Sequence, residues 1–311
     1  MMNAYDFSIN YLAGLMLLNG QDPYSNPLYR YPFPFTYFWA LLALPGYDAM
    51  PLLFIVWGVV NVGLLIYAFR KAFWQWVFFF PFFHELSAGQ VEMMFWSMER
   101  LIGRNWRGAI LGALITMKPQ TALILLPWHL VDWLRHDRKT LARWALCTGL
   151  LWGVPLLWRS DWLYTWLVLR GGDANFVYSA SVTTGIFSFL RLSAERLAVP
   201  FSPTLIVWLV VLGCIAALVY VGGQFQASKE IGKACALIGS PLGLLYTQLA
   251  LLGTAPAWLL VPVNLMTVGI SLTTGNFVAC IALPLTVIGW HLYQQRRQKQ
   301  REAAFKTLGA A

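Results

Sequence analysis

Charge is nearly absent from long stretches of this chain, and that constrains its fold more than any motif. Residues 49 to 69 carry no Asp, Glu, Lys or Arg and stop at Arg70-Lys71. Residues 108 to 131 carry only Lys118. Over 311 residues, 59% are hydrophobic and 11% charged, whereas a soluble domain has roughly 25% charged residues. A water-soluble sphere of this composition would expose too much apolar surface. Lipid is therefore the expected solvent for most of the chain, and helices must satisfy its backbone there. This reading excludes a soluble enzyme, a secreted disulfide scaffold and a disordered protein. The expected class is all-α: a polytopic integral membrane protein.

The segments themselves are irregular. Apolar runs fall at residues 9 to 19, 33 to 45, 49 to 69, 73 to 83, 91 to 99, 108 to 117, 120 to 134 and 141 to 158. Others fall at 204 to 222, 232 to 253, 256 to 272 and 276 to 293, and a more polar loop is expected over 161 to 202. A helix crosses about 30 Å with roughly 20 residues, and several runs are shorter. Short helices hinged on polar residues or Pro at membrane depth are tolerated only inside protein or along a cavity. The expectation is about eight to ten full or half-length transmembrane helices around a cavity open to one membrane face. Residues 1 to 293 form one transmembrane domain, and 294 to 311 a basic cytoplasmic tail.

The net charge is +9, and the positions of the basic residues explain it. They cluster at Arg70-Lys71, at Arg100 to Arg107, at Arg135 to Arg143, at Lys229 and Lys233, and in the tail. That is the positive-inside pattern of a multi-pass membrane protein, not a nucleic-acid surface. The polar hinges then converge on the outer side. Aromatics reach 16%, with 16 Trp, which suits interface belts and cavity walls. The four cysteines lie apart in apolar stretches and read as buried thiols without metal spacing. MMNAYDFSIN has neither the basic nor the apolar region of a cleavable signal.

A few polar residues stand out against this background. Asp6, just ahead of a short amphipathic run, reads either as a helix N-cap or as a general base at the membrane surface. Asp22-Pro23-Tyr24 and Tyr31-Pro32-Phe33-Pro34 read as turn chemistry or as a rigid loop at a cavity mouth. PFFHELSAGQVEMMFW places His84, Glu85, Gln90 and Glu92 between apolar runs. Intramembrane ionisable groups point to function, and a solvated outer turn is the alternative. Lys118, in GALITMKPQTALILLPW, costs roughly 2.5 to 3.5 kcal/mol to insert at mid-membrane. A cation at a Pro-broken helix suits a phosphate; an internal salt bridge to Glu85 or Glu92 is the alternative. Ser240-Pro241 and Tyr246 mark a further break.

In order, Asp6-Phe7, Gly20 with Asp22-Pro23-Tyr24, Tyr29 with Tyr31-Pro32-Phe33-Pro34, Leu44-Pro45, Gly89-Gln90, Lys118-Pro119-Gln120 and Ser240-Pro241 with Tyr246 resemble the family 87 glycosyltransferases. These are membrane enzymes of the GT-C class. The resemblance covers roughly residues 5 to 260. It implies a GT-C-like fold in the cell membrane, an active site on the outer face and a cytoplasmic C-terminus. It also implies a polyprenyl-phosphate-linked donor of mannose or arabinose, a glycolipid or glycan acceptor, inversion, and no metal or other cofactor. The general base of the family's first outer loop maps onto Asp6. Lys118 would hold the donor phosphate, and Gln90 and Tyr246 would line the sugar or acceptor pocket, beside Tyr31 and His84.

Three departures are visible. The family often carries Asn where Glu92 stands, frequently an Asp or His where Thr247 follows Tyr246, and normally a span ahead of the Asp-Phe motif where this sequence has five residues. A transporter or lipid-sugar flippase is the alternative, since broken helices and midplane charge also occur there. A truncated, non-catalytic remnant of the transferase family is the third reading.

Overall fold

The computed structural model describes residues 5–170, 184, 186, 229–240 and 245–308. The expected span at 204 to 222 and most of the loop at 161 to 202 lie outside these residues, as does Pro241. Helices dominate the described residues, and no strand occurs among them.

Proline sets much of the segmentation. It lacks an N–H and fixes φ, so it is tolerated in the first turn of a helix and disruptive further in. Pro opens α2 (Phe33–Ala43), α3 (Met50–Phe69), α5 (Phe80–Ala88), α8 (Pro119–Leu125) and α9 (Pro127–His136). The expected single run at 120 to 134 is therefore two helices, parted at Leu126-Pro127. Likewise the run at 73 to 83 divides into α4 (Phe73–Val77) and the start of α5. Side-chain caps start two more helices. Asn105 Oδ1 accepts from Gly108 N at 2.9 Å ahead of α7 (Trp106–Ile115), and Asp137 Oδ1 from Thr140 N at 3.1 Å ahead of α10 (Arg138–Gly153). Two boundaries depart from expectation. Helix α1 (Tyr5–Leu18) already contains Asp6 in its first turn. The last helix, Ala282–Leu308, runs without a break across the expected tail boundary at 293.

Among the described residues, three stretches are long and apolar enough to cross a membrane: Tyr47–Val77, Arg138–Leu157 and Ala257–Thr274. Helix α3 shows how such a stretch packs. Trp57, Asn61 and Leu65, each one turn apart, are buried, whereas Leu52, Ile55, Val59 and Tyr67 are exposed. The outward face is thus as apolar as the inward one, as expected for a helix whose surroundings are hydrocarbon.

Helices α1 and α2 pack closely. A side chain on Gly14 would collide with the backbone of Trp39, so only glycine permits this approach. Tyr11 Oη then donates to Gly46 O at 2.7 Å, tying α1 to the turn after α2. The main core gathers Phe7, Trp39, Trp76, Phe82, Phe95 and Leu125 from separate helices. Helix α6 (Glu92–Arg100) runs through this core and contacts α3, α7 and α8. It carries a different polar cluster at each end.

Candidate active site

The first cluster is assembled at the N-terminal end of α6. Helix α5 ends on Gly89, whose φ of +67° is left-handed and favours glycine. A Cβ there would lie 2.5 Å from Phe7 Cβ and 3.0 Å from Phe54 Cε2. Gly89 therefore lets α1 and α3 close over the end of α5, and it turns Gln90 inward. Trp57 Nε1 donates to Gln90 O at 2.7 Å and fixes that turn from α3.

The Gln90 amide is used in both directions. Its Nε2 donates to Asp6 Oδ2, and its Oε1 accepts from Lys118 Nζ at 2.7 Å. Donor and acceptor ends of the amide are thereby assigned by their partners. The result is a line from Asp6 through Gln90 to Lys118, with members drawn from α1, the α5–α6 turn and the α7–α8 break. Lys118 stands where α7 ends and Pro119 starts α8, so its Nζ reaches inward from a helix break.

Lys118 is fully buried and ion-paired with Glu92. The internal salt bridge is thus present, on Glu92. Thr121 Oγ1, one turn along α8, donates to the same Glu92 Oε1 at 3.2 Å. The ammonium also lies 5.4 Å from the Tyr31 ring centroid and 4.6 Å from that of Tyr246. Tyr246 belongs to the 3₁₀ helix Leu245–Leu251 and stacks on His84, with centroids 5.8 Å apart at 23°. Asp6, Gln90, Lys118, Tyr31, Tyr246 and His84 therefore share one site, although they span residues 6 to 246.

Exposure within the site is graded. Gln90, Glu92 and Lys118 are at most 2% exposed, while Asp6, Tyr31 and His84 are half-buried. Glu85 is not in a solvated turn, as the sequence allowed, but fully buried. Its Oε1 accepts from Met93 N at 3.0 Å. The Glu85 carboxyl lies against that of Glu92, so the two buried side chains face each other beside Lys118. Trp57 and Thr121 are site residues that the sequence reading did not single out. Thr121 was findable, three residues after Lys118 on the same helical face. Trp57 was not, as one Trp among 16.

The neighbouring loop is also tied down. Asp22 Oδ1 caps Tyr24 N at 2.8 Å, so its turn role holds. The same carboxylate takes a two-pronged contact from Arg159, with Nη2 to Oδ2 at 2.6 Å. Arg159 in turn lies 5.5 Å over the Tyr24 and Phe33 rings. This braces the Pro- and Tyr-rich segment that leads into Tyr31. Two cavities, of about 430 and 310 Å³, lie elsewhere on the molecule.

Comparison of the chain with family models, curated proteins and solved structures finds no match.

Proposed function

We propose that this chain is an integral membrane glycosyltransferase of GT-C type, similar to family 87. It would move a mannose-like or arabinose-like sugar from polyprenyl phosphate to an acceptor hydroxyl with inversion. In this reading residues 1 to 293 form one transmembrane domain with the site on the outer face, and the basic end of the chain is cytoplasmic. The observation that carries it is the hydrogen-bonded line Asp6–Gln90–Lys118, which holds a carboxylate and an ammonium in fixed relation.

The chemistry follows from that relation. Gln90 engages one oxygen of Asp6 and leaves Oδ1 for the acceptor hydroxyl, whose proton it takes as the new glycosidic bond forms. The bond from the anomeric carbon to the donor phosphate breaks on the opposite side, and the phosphate leaves with the electron pair. Lys118 compensates the charge on that phosphate in surroundings where an ammonium acts more strongly than in water. Gln90 sets the separation of base and phosphate ligand, which is the geometric requirement of an in-line displacement. Tyr31, Tyr246 and His84 give flat faces against which a sugar ring stacks.

Transfer of labelled sugar from polyprenyl phosphate in membranes tests this. Wild type should transfer, and Asp6→Ala and Lys118→Ala should not, at equal expression. Full transfer by both variants would overturn the assignment, and sugar-lipid movement without transfer would favour a flippase.

A further inference from the structure

The second cluster lies at the other end of α6. Glu99 is seven residues after Glu92, on the same helical face, and is fully buried. It receives His129 Nε2 at 2.8 Å from α9 and Lys233 Nζ at 2.7 Å from the helix Lys229–Gly239. Lys229, one turn earlier on that helix, pairs with Glu99 as well. Three basic side chains thus meet one carboxylate. Arg104 stands nearby in the α6–α7 loop and holds Asp132 through Nε at 3.0 Å and Nη2 at 2.8 Å. His136 Nδ1 also approaches Asp132, at 3.1 Å. Lys229, Lys233 and Arg104 thus meet Glu99 and Asp132 directly, while Glu230 acts on Lys233 and Asp137 on Arg104 from farther away.

Arg104, His129 and Lys229 of this cluster border open space. A cavity of about 310 Å³ is walled by Arg104, Trp128, His129, Asp132, Trp133 and Lys229. It sits among the α6–α7 loop, α9 and the start of the helix Lys229–Gly239. Lys229 is 29% exposed, so its ammonium borders both Glu99 and the opening. Cations with donors to spare, held by packed helices beside an unfilled volume, favour an anion. Two Trp rings in the same wall suit the headgroup zone of a bilayer.

We propose that this cavity is a second binding site, for a phosphate group. Lys229, Arg104 and His129 are its ligands, and Glu99 holds Lys229 and His129 in position when it is empty. The phosphate belongs to an anionic lipid headgroup or to a soluble phosphate, and both present the same oxygens. This site is separate from the Asp6–Lys118 cluster and does not depend on the reaction assigned there.

The test uses the full chain in phosphatidylcholine nanodiscs at constant ionic strength. Inorganic phosphate should raise the thermal unfolding midpoint saturably, and chloride should not. Discs containing phosphatidylglycerol should raise it without added phosphate if a lipid headgroup is the source. Lys229→Gln, at the rim, should weaken phosphate binding about tenfold, the loss of one charge-assisted contact. Lys229→Arg should restore it. A midpoint that responds to neither phosphate nor phosphatidylglycerol would overturn the proposal. So would an unchanged phosphate response in Lys229→Gln.

Discussion

The ammonium of Lys118 and the carboxylate of Glu92 are ion-paired with neither side chain more than 2% exposed. Removing one partner of such a pair strands a charge, at about 3–5 kcal/mol, whereas removing both leaves packed apolar surface at little loss. Lys118→Met alone should therefore lower the unfolding midpoint in detergent far more than Lys118→Met with Glu92→Leu. Equal loss in the single and double variants would show that the pair is not coupled.

Glu92 is also one of the positions at which the sequence departs from the family 87 pattern. A phosphate arriving at Lys118 meets a carboxylate already there. In the proposed enzyme, Glu92→Gln keeps the side-chain shape and removes that competing charge. Donor KM should then fall severalfold, with kcat changed less. A raised KM would instead assign Glu92 a direct role in holding the donor.

Asp6→Asn preserves an acceptor for Gln90 Nε2 but cannot take a proton. General-base assistance accounts for about 10²–10⁴ in rate, so kcat should drop by that factor while donor KM stays near wild type. Gln90→Leu breaks both halves of the line from Asp6 to Lys118 and should lower kcat and raise KM together. Steady-state kinetics on polyprenyl-phosphate sugar separate these outcomes. An Asp6→Asn variant with wild-type kcat would remove Asp6 from the chemistry.

How much of this was legible in the sequence depends on contrast. Lys118 was visible because a charge amid apolar neighbours is anomalous, and Pro119 beside it announced the break that turns it inward. His84, Gln90 and Glu92 were visible for the same reason. The Glu99 cluster was not, because Lys229 and Lys233 resemble ordinary end-of-helix charges. Only the fold shows that Lys233 is 5% exposed and bonded across 134 positions to Glu99. Helix starts followed prolines, which act locally. The end of the last helix did not follow composition, because Gln, Arg, Lys and Ala are all good helix formers and polarity alone does not stop a helix. Phe7 and Phe54 converge on Gly89 through tertiary packing, which no local pattern records.

Gly89 yields the sharpest stability prediction. Its φ of +67° disfavours any residue with a Cβ, and that Cβ would meet Phe7 Cβ at 2.5 Å. The left-handed conformation costs an alanine roughly 1–2 kcal/mol, and overpacking against a buried ring adds about 1–3 kcal/mol. Gly20 has nearly the same φ, +69°, but open space around it. Gly20→Ala therefore isolates the backbone contribution, and Gly89→Ala adds the collision. Unfolding midpoints should fall modestly for Gly20→Ala and considerably further for Gly89→Ala. Because Gln90 follows directly, Gly89→Ala should also displace the amide that joins Asp6 to Lys118 and depress transfer, while Gly20→Ala leaves it intact. Equal midpoints for the two variants would mean that the approach of α1 to the α5–α6 turn is looser than the structure has it.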